Sequence, residues 1–247
     1  MEELHFYRLE LSCRKKSVYI FNLMNKKVII TGASGMIGGI LLNLCINDES
    51  ISEVISLVRK PSGINHIKLK EIVISDFLNY DSCSPYFSNA DVVFYCLGVY
   101  TGAVAADLFR KITVDYPIAL AKSVYSKSPN TRFCLLSGQG ADNTENSKVM
   151  FARDKGAIEN ALSKIGFASF ISFRPGYIYP VEKRIEPNMM YKIMRWLYPI
   201  IKLFGKNVSI ESTALAKVIH FVGLHGASKS ILENNDMREI EIKISTK

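Results

Sequence analysis

The chain has 247 residues, 48% of them hydrophobic, and a mean hydropathy of +0.12, enough for the core of one α/β domain and inconsistent with a disordered chain. Its net charge of +8 comes from lysines and arginines spread along the sequence, with no long basic run and no zinc-finger or RNA-binding signature, so nucleic acid is not an expected partner. The four histidines share no ligand spacing with the five cysteines or the acids, so no metal site is expected.

No two cysteines form a CxxC pair. Cys45, Cys96 and Cys134 fall in apolar helix or strand patterns, where a free thiol behaves as a small hydrophobe. A reducing, cytoplasmic setting is the simplest expectation.

Residues 1–23 lack the apolar core and small-residue cleavage site of a signal peptide and read as an extension outside the fold. Met24 would then open a dinucleotide-binding domain running to residue 180. In KVIITGASGMIGG (27–39), Val28, Ile29 and Ile30 form a β-branched run typical of a strand buried on both faces. Gly32, Gly35 and Gly38 follow at three-residue spacing, and the apolar run from Met36 reads as a buried helix. Between a strand and a helix, three such glycines suit a tight bend, close backbone approach to a pyrophosphate, and helix–sheet contact. The helix N-terminus adds partial positive charge. Ser34, Met36 and Ile37 complete this expected cradle.

Further strands are predicted at 53–60, 67–77, 90–99, 132–142 (with its loop) and 168–180, alternating with helices near 104–127 and 151–166. That alternation indicates a doubly wound parallel sheet, a Rossmann fold, with ligand loops along one edge. Beyond residue 180 the alternation stops. The apolar stretch 188–204 is shorter than the roughly 20 residues a membrane span needs and carries three charges. It reads as a small helical substrate lid in preference to a membrane-surface element. A helix follows at 211–224, capped by Ser212 or Thr213, and 236–247 reads as a short edge element.

At the end of the second strand, where an NAD site usually places an acid, the sequence has Arg59 and Lys60. A carboxylate would repel a 2′-phosphate and a guanidinium grips it, so NADP is favoured over NAD. Asp76, with Phe77, would face adenine. Cys96, Leu97 and Gly98 end the fourth strand, where glycine lets the backbone lie against the cofactor.

Together TGASGMIG (31–38), Asp76, CLGV (96–99), LLSGQGAD (135–142), Lys155, FRPGYIYP (173–180) and ILENNDMREI (231–240) resemble the extended and atypical short-chain dehydrogenase/reductase superfamily. Within it the chain looks most similar to NAD-dependent epimerase/dehydratase-like proteins and Tat-interacting-protein-like oxidoreductases. The resemblance implies that Ser137 hydrogen-bonds the reacting oxygen, Lys155 binds nicotinamide ribose, and Arg174, Pro175 and Gly176 shape the nicotinamide side. It also implies a tyrosine four residues before the lysine, as general acid; this chain has Phe151 there. Phenylalanine has no proton to give, and losing a general acid typically forfeits on the order of 10² to 10⁴ in rate. Tyr100, Tyr177 and Tyr179 are candidate substitutes. Two readings stand: an NADP(H)-dependent oxidoreductase with atypical chemistry on an unidentified small molecule, and a non-catalytic nucleotide-binding module that signals to a protein partner. The helices at 104–127 and 151–166 correspond to those that form oligomer faces in the resembling families.

Overall fold

The computed structural model describes residues 25–182, 189–198 and 207–246; the expected extension at 1–23 and part of the 188–204 lid lie outside the described residues. The first strand, β1 (Lys26–Thr31), has Val28, Ile29 and Ile30 fully buried, and successive side chains point to opposite faces. Val28 and Ile30 enter the core beneath α1 (Met36–Asn47), while Ile29 enters the core on the opposite side of the sheet. β2 (Ile51–Val58), β3 (Leu69–Val73), β4 (Val92–Tyr95), β5 (Arg132–Leu136) and β6 (Ser169–Arg174) follow. β4 divides its side chains in the same way, Val92 and Phe94 to one core and Val93 and Tyr95 to the other.

A short separate sheet holds β7 (Tyr177–Tyr179) and β8 (Ser209–Glu211), and β9 (Ile231–Glu233) returns to the main one. The main sheet runs β3-β2-β1-β4-β5-β6-β9, with all its pairs parallel. The sequence reading of a doubly wound sheet is correct in kind. Helix α2 (Ala106–Arg110) and α3 (Tyr116–Lys127) flank a π-helical turn at Lys111–Asp115 within the helix expected at 104–127. Pro117 in the first turn of α3 has no N–H to donate, which interrupts the regular ladder there. α4 (Met150–Ser163), α5 (Met189–Trp196), α6 (Ser212–His225) and α7 (Asn234–Ser245) complete the described helices.

Three expectations need correction. The strand expected at 168–180 is two strands: Pro175, lacking a donor, ends β6, and β7 leaves to pair with β8. The terminal segment is a helix. Its Ile240-Ile242-Ile244 alternation looks strand-like, but Met237, Ile240 and Ile244 share the helical face packed on the core, and Ile242 is 52% exposed. A capping box between Glu233 and Asp236 starts that helix. The cap of α6 is Glu211, with no side-chain cap bond; Ser212 Oγ instead accepts from the Val181 N–H at 3.2 Å.

The stretch after residue 180 also supplies more than a cover. Leu215, Val218, Val222, Leu232 and Met237 share one continuous core with Val28 and Leu41. The described part of the segment after residue 180 thus packs on the same unit as β1 and α1.

Candidate active site

The strand order reverses between β1 and β4, and the C-terminal ends of strands on either side of such a reversal enclose a crevice where ligands bind. Gly32 turns the chain out of β1 with φ +76°, and a Cβ there would lie 2.6 Å from the backbone carbon and oxygen of Cys96. Only glycine lets the first turn pass against the end of β4. At Gly38 a Cβ would collide with the Gly32 carbonyl, so the third glycine lets α1 seat on the turn. Gly35 is the N-cap of α1; no side chain caps this helix, and its first turn holds no acid. The leading N–H groups of α1 are thereby left for an anion, and this open turn could hold a pyrophosphate. Ile37 and Gly38 are buried and have only backbone to offer, whereas Met36 reaches a cavity.

Arg59 is exposed just beyond β2, beside the turn that follows β1. Asp76 is also exposed, its carboxylate accepting from the Leu78 N–H at 2.9 Å. Phe77 has only its backbone to offer the expected adenine site. Its ring is 6% exposed, stacked 5.6 Å from Tyr116 and edge-on to Tyr80, and serves the core.

Ser137 follows β5, held by its N–H bond to the Phe173 carbonyl (2.8 Å). Its hydroxyl is buried without a well-formed hydrogen bond, although it lies close to the Glu159 carboxylate. A cavity of about 340 Å³ opens beside it, walled by Met36, Tyr100, Gln139, Phe151, Pro175 and Tyr177, among others. Phe151 lies against Gly138, where an added Cβ would meet the ring edge at 2.6 Å. One turn along α4, the Lys155 ammonium donates to the Leu136 carbonyl at 3.3 Å. Burial pulls its pKa down to about 8, against the opposing effects of Glu159 and Cys96. Burial also pushes the Cys96 thiol up to about 12. Tyr100 and Tyr177 line the cavity; Tyr179 instead stacks on Tyr198 at 3.7 Å.

Arg174 is placed differently from expectation. Pro175 and Gly176 face the cavity, but the guanidinium turns away to Glu159, Asn143 and Glu233. Glu159, on α4 one turn after Lys155, is 2% exposed. Its carboxylate also accepts from Ser172 (2.7 Å) and Asn143 (3.1 Å). Burial opposes its ionisation, but the hydrogen bonds from Arg174 and Ser172, the nearby Ser137 hydroxyl and the charge of Arg174 outweigh this and hold it below the usual carboxylate range. Sequence reading missed Glu159, Asn143, Gln139 and Ser172. The one signal available was an acid four residues after Lys155 on a helix, where both lie on one face.

The sheet order and glycine turn define a Rossmann NAD(P)-binding fold of the oxidoreductase and epimerase type. The model of the NAD dependent epimerase/dehydratase family matches residues 28–153, and the chain belongs to that family. Protein HTATIP2 of Rattus norvegicus is 32% identical over 174 residues, 68% of this chain and 69% of that protein. Protein FMP52, mitochondrial, of Coccidioides immitis is 26% identical over 199 residues, 74% and 80% of the two chains. The Bordetella bronchiseptica enzyme WbmH, solved in complex with NAD+, superposes with a TM-score of 0.64 at 14% identity over 90% of this chain and 81% of that one. A Burkholderia cenocepacia short chain dehydrogenase in complex with NADP gives 0.62 at 14% identity, over 90% and 94%. These two likenesses establish the fold. No helix among the described residues is long and apolar enough to cross a membrane.

Proposed function

We propose that this chain is an NADP(H)-preferring oxidoreductase-like protein whose carbonyl/alcohol chemistry is atypical because Phe151 occupies the place of the superfamily's tyrosine acid. The observation that carries this reading is the convergence on one cavity wall of Ser137 and a phenylalanine, with Lys155 one helical turn behind. The Gly32–Gly38 turn and the N-terminus of α1 would hold the pyrophosphate, Arg59 the 2′-phosphate, Asp76 the adenine and Lys155 the ribose. A bound nicotinamide supplies or accepts hydride. Ser137 orients the reacting oxygen by a hydrogen bond, and proton exchange falls to Tyr100, Tyr177 or water instead of the residue at 151. The free buried thiols Cys45, Cys83 and Cys134 fit a reducing, cytoplasmic setting, which cell fractionation with a tagged chain would check.

The deciding experiment is titration with NADPH and NADH, followed by nicotinamide fluorescence, on the native chain and on Arg59→Ala. Selective NADPH binding weakened at least tenfold by Arg59→Ala is expected. Equal affinity for both nucleotides, or no effect of Arg59→Ala, would overturn the preference. Phe151 also favours a second reading, a non-catalytic nucleotide-binding module. Under the first reading Phe151→Tyr raises NADPH oxidation on a carbonyl panel by about tenfold or more. Under the second, nucleotide binds and neither form turns over.

A further inference from the structure

A second cavity of about 800 Å³ runs along the outer face of α1 from Gly35 to Leu44, walled opposite by Pro180, Glu182 and the start of α6 at Ser212 and Thr213. It shares Met36 and Tyr100 with the cavity beside Ser137, so the two adjoin at those side chains. At 1.5 Å rise per residue, nine steps of α1 give it a length of about 13 Å. The groove meets the expected path of the dinucleotide only at its Ser34–Met36 end. Arg59, Asp76 and Gly98 lie beyond the other strand ends and none of them lines it. Its floor is apolar at Met36, Ile40 and Leu44, and the one formally charged side chain among its described lining residues is the Glu182 carboxylate.

We propose that the substrate of this site is a neutral, elongated carbonyl or alcohol, with its polar end beside Ser137 and an apolar tail laid along α1 past Met36 and Tyr100. The proposal rests on the reading of the Ser137 cavity as the reacting end. A small carbonyl compound would leave the groove empty; with the α1 N-terminus at its Ser34–Met36 end given to the cofactor, an anionic tail such as a nucleoside diphosphate would face Glu182 without a cation among the described lining residues. An aliphatic tail covers Ile40 and Leu44 and removes apolar surface from water on both partners.

Isothermal titration with 2-butanone through 2-decanone, on NADPH-saturated and nucleotide-free protein, tests this. Affinity is expected to rise roughly threefold to fourfold per methylene. Asn43→Trp, at an exposed position of α1 on the groove, and Thr213→Trp from the opposite wall should each flatten that rise to within about twofold while leaving NADPH affinity unchanged. No chain-length dependence in either form of the protein, the same rise in both variants, or UDP-N-acetylglucosamine binding where the ketones do not, would overturn the proposal. Failure of NADPH to bind, with the chain-length series intact in nucleotide-free protein, would sink the cofactor reading and leave the groove assignment standing.

Discussion

Replacing Glu159 with glutamine should destabilise the protein and alter the charge of Lys155 together. The Glu159 side chain is 2% exposed and that of Arg174 is 11% exposed. Glutamine keeps the shape and can still accept from Ser172, but it leaves the guanidinium without its buried counter-charge. Breaking a buried pair by removing one partner costs about 3–5 kcal/mol. Asn143 and Glu233 remain on Arg174, which argues for the lower end, about 3 kcal/mol. For a chain of this size each kcal/mol moves Tm by about 2–4 °C, so a fall of about 6–12 °C is expected at pH 7. The sign with pH follows from the depressed carboxyl of Glu159. Its stabilisation is complete above the unfolded-state value of about 4.3 and is lost as pH falls through the lower folded-state value. Urea unfolding of both proteins from pH 7 down to pH 3 should therefore show their difference narrowing in acid. Glu159 also raises the Lys155 pKa, so in the variant the loss of NADPH binding with rising pH should begin at lower pH. A difference below about 1 kcal/mol at pH 7, or one constant down to pH 3, would refute this account of the network.

Gly32→Ala forces a side chain into φ +76° and against the Cys96 backbone; we expect a loss of about 1–3 kcal/mol in urea unfolding and of measurable NADPH binding by fluorescence. In the native chain, nucleotide affinity should fall as pH rises through about 8, where Lys155 loses its proton, and a Lys155→Met variant titrated over the same range should show no such fall. Gly156→Ala places a methyl group against the Asp142 carbonyl, beside the bond from the Asp142 N–H to the Ala152 carbonyl (2.8 Å). Overpacking there should cost about 1–3 kcal/mol in urea unfolding and separate the 138–147 loop from α4, weakening NADPH binding. Unchanged binding would show that the loop and helix tolerate that separation.

Local sequence signals reached far into this fold because its central strands are buried on both faces. Val28–Ile30 needs no tertiary information to read as a buried strand, and Gly32, Gly35 and Gly38 carry their own backbone demands. Ser137, Phe151 and Lys155 are singled out by the family resemblance and not by local pattern; spacing adds only that residues 151 and 155, four apart, share a helical face. What failed was local ambiguity settled by distant partners. The terminal isoleucines alternate like a strand, and only the core that receives Met237, Ile240 and Ile244 selects the helix.

The sequence by itself determined the strand–turn–helix opening, the parallel sheet and the residue types along its ligand edge, since each rests on near-neighbour spacing and burial pattern. Tertiary structure alone decided where the side chains of those residues point. Arg174 sits in a motif that suggested the nicotinamide, yet its guanidinium goes to Glu159, 15 residues earlier, and to Glu233, 59 residues later. Phe77, next to an acid expected at adenine, turns into the aromatic core against Tyr116. A buried charge must find its counter-charge and an aromatic ring its packing wherever the folded chain brings them, and linear spacing does not contain that information.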